Sequence, residues 1–261
     1  VSIFEVWLAG YGVVFVLMTI VWLISVAITN VGIIDIAWGF GFVVLAWAYY
    51  ALTDGDPQRK LLVTVLTTLW GMRLTLYLGK RNLGKEEDYR YQNFRKRYGE
   101  DSYWWKSFFQ AFMLQGTIMV FVAVPVLASS YATEPSGLTI LDIIGALVWL
   151  VGFGFESGGD LQLARFKSNP DNKGKVLQTG LWRYTRHPNY FGNAVMWWGI
   201  YIIALSTPFG FLSFFGPLLM TFLLLRVSGV ALLERSLRKT KPDYEDYKRC
   251  TSAFIPMPPK C

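Results

Sequence analysis

Apolar residues fall in blocks of about twenty, separated by tight turns or by polar stretches rich in Lys, Arg and aromatic residues. A helix needs roughly twenty such residues to cross about 30 Å of hydrocarbon. Because the bilayer core holds no water to satisfy backbone groups, spanning blocks must be helical. The pattern predicts an all-α polytopic membrane protein with seven transmembrane helices, roughly at 3–28, 31–52, 60–80, 108–130, 138–160, 189–206 and 209–232. Thr29-Asn30, Thr53-Asp-Gly-Asp-Pro57 and Ser206-Thr-Pro-Phe-Gly210 supply turn chemistry at three reversals. Neither an internal repeat nor a low-complexity linker interrupts the pattern, so one transmembrane domain over 1–261 is expected.

Composition sharpens this picture. The chain is 53% apolar and 16% charged, against about 25% charged in soluble domains. The first block lacks a basic leader and is too long for a signal peptide. Lys and Arg concentrate in three places: eight at 80–106, six at 165–186 and seven at 235–260, together 21 of 25. With seven spans all three face one side, which predicts an outer N-terminus and a cytoplasmic C-terminus. The net charge of +7 reports this asymmetry, and no nucleic-acid partner is expected. Cys250 and Cys261 lie in the basic tail, and a cytoplasmic tail keeps thiols reduced, so no disulfide is expected.

Several ionisable residues fall inside or at the inner ends of spans, where they are costly and mark functional candidates. Asp35, Arg73, Tyr77, Glu156, Asp160, Arg226 and Glu234 all belong to the inner half under this topology. The reading is a water-accessible cavity open to the cytoplasm. The competing reading is a set of structural ion pairs, such as Asp35 with Arg73. At the mouth of that cavity lies Gly180-Leu-Trp-Arg-Tyr-Thr-Arg-His-Pro-Asn-Tyr-Phe-Gly-Asn193, which contains the one histidine of the chain. Pro188 suits the first turn of a helix. Arg183, Arg186, His187 and Asn189 gather at that start, a good position for an anion. One His and two tail Cys do not make a zinc or haem site, so no metal is expected. Gly152-Phe-Gly154 lies within an apolar span and reads as helix packing, not as a dinucleotide loop.

The segment Leu181–Gly192, preceded by Asp160 and followed by Glu234-Arg235 and Tyr244-Glu-Asp-Tyr-Lys-Arg, resembles the steroid 5α-reductase family, most closely its bacterial branch. Glu87–Arg95 and Asp35-Ile-Ala-Trp-Gly39 are similar to that branch as well. The Arg-His-Pro-x-Tyr-x-Gly core is shared with membrane methyltransferases of the isoprenylcysteine and phospholipid type. The resemblance implies a seven-helix reductase of the Δ4 double bond of 3-oxo-Δ4 steroids or similar lipid-like enones, in the bacterial inner membrane, with NADPH bound beneath the cytoplasmic loops. Carried over by position, it implies that Asp160, Arg165 or Lys167, Arg183, Arg186, His187, Asn189, Tyr190, Asn193, Glu234, Arg235, Arg238, Tyr244 and Tyr247 line the cofactor. Asp35 is the expected catalytic acid, neutral and donating to the carbonyl as hydride reaches the β-carbon. The third span offers Trp70 or Tyr77 as its partner, with Tyr77 as the second catalytic candidate. Trp38 and Arg73 are expected on the substrate side. The animal enzymes carry Gln-Glu in the second span where this chain has Ile34-Asp35. The alternative is an S-adenosylmethionine-dependent membrane methyltransferase, which needs no acid such as Asp35.

Overall fold

The computed structural model describes residues 1–227, 229, 230, 233, 234, 237, 241 and 243–261. Among them the regular structure is helical, with no strand. The chain divides into two compact units, Val1–Thr139 with Ile203–Ser213, and Ile140–Ile202 with Phe214–Cys261.

The first unit is built on α1 (Ile3–Ala27), α2 (Ile33–Leu52) and α3 (Pro57–Asn82). Ser2 and Glu5 cap α1 reciprocally, satisfying two of its free N–H groups. One stripe of α1 is buried, through Val6, Gly10, Val14, Met18, Val21 and Ser25. Its other faces expose Leu8, Phe15, Ile20 and Leu23, as a helix facing lipid does. Asp56 caps α3 and Pro57 opens it, the usual start signal. Glycines let α2 and α3 touch: a Cβ on Gly39 would stand 2.5 Å from the Gly71 carbonyl oxygen. The polar stretch after α3 is itself helical, as α4 (Tyr89–Tyr98) and α5 (Tyr103–Ser107). A π-helical stretch, Phe108–Met113, then leads into α6 (Leu114–Val122) and α7 (Val124–Tyr131).

The second unit holds α8 (Ile140–Ser168), α9 (Pro188–Ala204, whose last two residues belong to the first unit), α10 (Phe215–Phe222) and α11 (Tyr244–Cys250). Small residues bring α8 and α9 into backbone contact. A Cβ on Gly192 would lie 2.4 Å from the Gly152 carbonyl oxygen, and one on Gly199 2.7 Å from that of Gly145. This is the small-residue packing that membrane helices favour. Gly152→Ala is therefore expected to destabilise by about 1–3 kcal/mol through overpacking. Gly154→Ala, with nothing within 4 Å of its added methyl, is expected to leave the melting temperature in detergent unchanged or higher. Equal melting of the two variants refutes this account of the α8–α9 contact.

Among the described residues, five helical segments are long and apolar enough to cross a membrane: α1, α2, α3, α8 and Gly210–Val227. A sixth arises if Glu100–Val122 and Val124–Tyr131, bent by 44° to one another, count as one broken span. These are compatible with a multi-pass integral membrane protein. Three expectations change. The fourth span is bent, because Pro125 sits in the first turn of α7 and cannot continue a straight helix. The fifth runs on to Ser168, eight residues past its expected end, until Asn169-Pro170 stops it. The expected sixth span is α9, a helix of 17 residues, at the short limit for crossing.

Candidate functional site

In the second unit the contact between α8 and α9 sets up a ladder of polar pairs. One turn beyond the Gly152–Gly192 contact, Asn193 Nδ2 donates to Glu156 Oε2 at 3.3 Å. A turn further, Asn189 Nδ2 donates to Asp160 Oδ1 at 3.0 Å. Glu156 and Asp160 are both buried. The segment before α9 is folded onto the extension of α8. Leu181 N–H donates to Gln162 Oε1 at 3.0 Å, and Trp182 Nε1 to the Gly159 carbonyl at 3.1 Å. Gly180 takes φ 62°, a left-handed value that suits glycine, and starts the 3₁₀ turn Gly180–Arg183.

Arg186 anchors this segment. Its side chain is 7% exposed and its donors are taken within the protein. Nε and Nη2 donate to Glu234 Oε1 at 2.9 and 2.7 Å. Nη1 donates to the carbonyls of Lys248 (3.2 Å) and Thr251 (2.5 Å), where α11 ends. His187 Nε2 lies 3.3 Å from the same Glu234 oxygen, and its ring stacks on Tyr190 at 5.5 Å. Burial drives the His187 pKa down, against the pull of Glu234. The imidazole is thus neutral near pH 7, with its proton on Nε2 toward the carboxylate. Burial acts to raise the Glu234 pKa, but the hydrogen bonds from His187 and Arg186 outweigh it and hold the carboxyl at about 2. Two buried acceptors, His187 Nδ1 and Asn193 Oδ1, find no partner among the described residues.

A cavity of about 450 Å³ opens beside this cluster. Its walls carry five cations, Lys167, Lys173, Lys175, Arg186 and Lys241, along with Trp182, Tyr244 and Tyr247. Among the described residues lining it none is acidic. Tyr247 Oη donates to the Trp182 carbonyl at 2.5 Å, which ties α11 to the 3₁₀ turn. Burial raises the pKa of both Tyr244 and Tyr247, so the phenols stay protonated.

Of the residues expected at a cofactor, the structure brings Lys167, Arg186, Tyr244 and Tyr247 to this cavity, and Glu234, His187 and Tyr190 to the cluster beside it. Asp160, Asn189 and Asn193 lie on the polar ladder. Arg165 is on the last turns of α8 and Arg183 is exposed in the 3₁₀ turn. Arg235 and Arg238 fall outside the described residues. Lys173, Lys175, Lys241 and Trp182 were not foreseen as lining groups. The three lysines belong to two separate basic stretches, and in sequence they are indistinguishable from ordinary charge asymmetry. Cys250 and Cys261 are joined in a disulfide, with Cα atoms 5.2 Å apart, which corrects the expectation of two reduced thiols. That expectation came from the charge of the tail, whereas the turn after α11 decides how near its cysteines come.

A second polar cluster lies in the first unit, around Asp35 in the first turn of α2. Its Oδ2 accepts from Arg90 Nη2 at 2.5 Å and its Oδ1 from Tyr91 Oη at 2.9 Å. Gln115 Nε2 approaches the Tyr91 oxygen at 3.4 Å. Arg90 and Tyr91 open α4, which Glu87 pins in place by accepting from Val31 N–H (2.8 Å) and from Arg95 (2.9 Å). Two donors are thus aimed at Asp35, which accepts through both of its oxygens. Asp35, the expected catalytic acid, is held here by two donors from α4, the Arg90 guanidinium and the Tyr91 hydroxyl. Burial, and next the Asp35 charge, push the Tyr91 pKa well up, so its proton is held. For Arg90, burial lowers the pKa but Asp35 and Asp88 more than restore it. Tyr77 lies on α3 with the guanidiniums of Arg73 and Arg81 5.7 and 5.8 Å from its ring centre. Trp38 packs edge-on to Phe42 at 5.1 Å. A cavity of about 270 Å³ opens nearby, lined by Ile33, Ile36, Leu83 and Asp88 among others.

Comparison with known proteins gives two matches. A family model described as "Protein of unknown function (DUF1295)" matches residues 21–251. The chain is similar to uncharacterized protein C594.04c of Schizosaccharomyces pombe (strain 972 / ATCC 24843), 25% identical over 214 residues, which cover 72% of this chain. The match spans 61% of that relative's length. No solved structure matches.

Proposed function

We propose, for a chain that belongs to the DUF1295 family, that it is an NADPH-dependent membrane reductase acting on the carbon–carbon double bond of a lipid-like enone, a 3-oxo-Δ4 steroid being one such substrate. The observation that carries this reading is the 450 Å³ cavity with five cations and no acid among its described lining residues. Its size lies in the usual range for small-molecule sites, and its charge suits a multiply phosphorylated ligand. Lys167, Lys173, Lys175 and Lys241 would hold the phosphates, and Trp182, Tyr244 and Tyr247 the flat ring systems. Arg186, whose donors are engaged, would act mainly by holding Glu234 and α11 in place.

When bound, NADPH supplies the hydride that goes to the β-carbon of the enone. The protein's task is then to stabilise the charge that grows on the carbonyl oxygen. Tyr91 is the donor we assign to that oxygen, its hydroxyl turning from Asp35 to the substrate. Asp35 and Arg90 position it.

NADPH titration into detergent-purified protein tests the cofactor assignment. Reduced-nicotinamide fluorescence is expected to rise on binding. Lys173→Ala with Lys175→Ala is expected to weaken NADPH roughly tenfold, about 1.4 kcal/mol, and NADH less. Protein that binds S-adenosylmethionine and ignores NADPH would replace this reading with the methyltransferase one.

A further inference from the structure

The chain after α11 turns back over the Tyr184–His187 segment as a strap. Arg186 N–H donates to the Ser252 carbonyl at 2.9 Å, and Met257 N–H to the Tyr184 carbonyl at 3.0 Å. Thr185 Oγ1 donates to the Phe254 carbonyl at 2.9 Å, and Arg186 Nη1 to that of Thr251. Phe254 packs edge-on to Phe191 of α9, with ring centres 5.9 Å apart. The strap ends where it began: Lys260 N–H donates to the Cys250 carbonyl at 2.9 Å, and Cys261 is bonded to Cys250. The disulfide thus closes a loop of 11 residues in sequence separation whose backbone supplies acceptors to Arg186 and Thr185. Cys250 is also the last residue of α11, the helix that places Tyr244 and Tyr247 in the cavity wall.

We propose that Cys250 and Cys261 form a reversible thiol–disulfide modification site, whose oxidised form clamps the strap onto the Tyr184–His187 segment and whose reduced form releases it. The tail carries Lys248, Arg249 and Lys260, and its charge predicts a cytoplasmic face, where disulfides serve mostly as redox sensors and seldom as permanent staples. Cys261 is exposed and Cys250 partly so, which leaves the bond open to attack. A small dithiol carries out the opening. One of its thiolates attacks one protein sulfur, the other protein sulfur leaves as a thiolate, and the second thiol of the reagent resolves the mixed disulfide. Two electrons and two protons pass to the protein, and the reagent becomes a cyclic disulfide. Once the bond opens, residues 251–260 are held by non-covalent contacts alone, the hydrogen bonds and the Phe254–Phe191 contact named above among them. The proposal stands apart from the reductase reading, because it concerns the strap whatever the cavity binds.

Hydrogen exchange on the full chain in detergent, read by mass spectrometry with and without dithiothreitol, provides the test. Peptides covering 184–187 and 251–260 are expected to exchange at least about tenfold faster after reduction, while peptides of α8 are unchanged. Cys250→Ser and Cys261→Ser are each expected to show the fast pattern without reductant. Reduction of the native chain gives the result even where a variant fails to fold. Equal exchange in oxidised and reduced protein overturns the proposal. So does alkylation of both thiols in protein purified in air and never exposed to reductant.

Discussion

Tyr91→Phe is expected to lower kcat for enone reduction about a hundredfold, with NADPH affinity unchanged. The size follows from the 10²–10⁴-fold usually contributed by a positioned proton donor. The Tyr91 hydroxyl is the neutral donor of the cluster, held 2.9 Å from Asp35, and its raised pKa keeps the phenol intact through neutral pH. Asp35→Asn is expected to cost less, because the amide oxygen still accepts one hydrogen bond and the ring of Tyr91 keeps its place. Steady-state rates with a 3-oxo-Δ4 steroid, alongside nicotinamide fluorescence for binding, separate the two roles. Full activity in Tyr91→Phe together with a dead Asp35→Asn would return the donor role to Asp35.

Glu234→Ala is expected to destabilise the second unit by about 3–5 kcal/mol, the usual result of removing one partner from a buried ion pair. It strands Arg186, 7% exposed, and His187, 1% exposed, beside an empty acceptor position. Glu234→Gln, which keeps an acceptor oxygen, loses less, and the comparison with it exposes a pH dependence. The folded carboxyl titrates at about 2, below its ordinary 4.5. Its contribution, on the order of 2–3 kcal/mol, is therefore complete above pH 4.5 and lost as pH falls toward 2. The gap in melting temperature between wild type and Glu234→Gln is expected to be widest above pH 4.5 and to close over that interval. His187 adds an earlier loss in both proteins. Its folded pKa lies below 6.5, so acidification below 6.5 favours the unfolded chain. A gap that stays constant down to pH 2 refutes the role given to Glu234.

The apolar blocks of the fold were legible because hydrocarbon imposes a length on a helix. The helix ends were less so, since hydropathy marks where a helix leaves lipid and not where its hydrogen bonds stop. Gln162–Ser168 carries Gln162, Arg165, Lys167 and Ser168 and still belongs to α8, and the stop signal was Asn169-Pro170. Likewise Asp88 was a capping signal for α4, hidden within a stretch that reads as loop by charge alone. The Arg-His-Pro segment announced itself, and the cavity lies beside it. The pairing of Asp35 with Arg90 and Tyr91, 55 and 56 residues away, leaves no trace at either place. A basic and aromatic helix N-terminus reads the same whether it faces water, headgroups or a buried carboxylate. That is why the sequence offered Tyr77 on α3, while the tyrosine hydrogen-bonded to Asp35 comes from α4.

The 29 residues of α8 make a rod about 43 Å long, against about 30 Å of hydrocarbon. One end is as oily as a lipid tail, and the other carries Asp160, Gln162, Arg165 and Lys167 on the same continuous backbone. On the reductase reading proposed above, such a rod is the frame of a phase-transfer catalyst: a reagent that dissolves only in water and one that partitions into oil would both be served by one rigid scaffold, and neither would have to cross into the other's solvent.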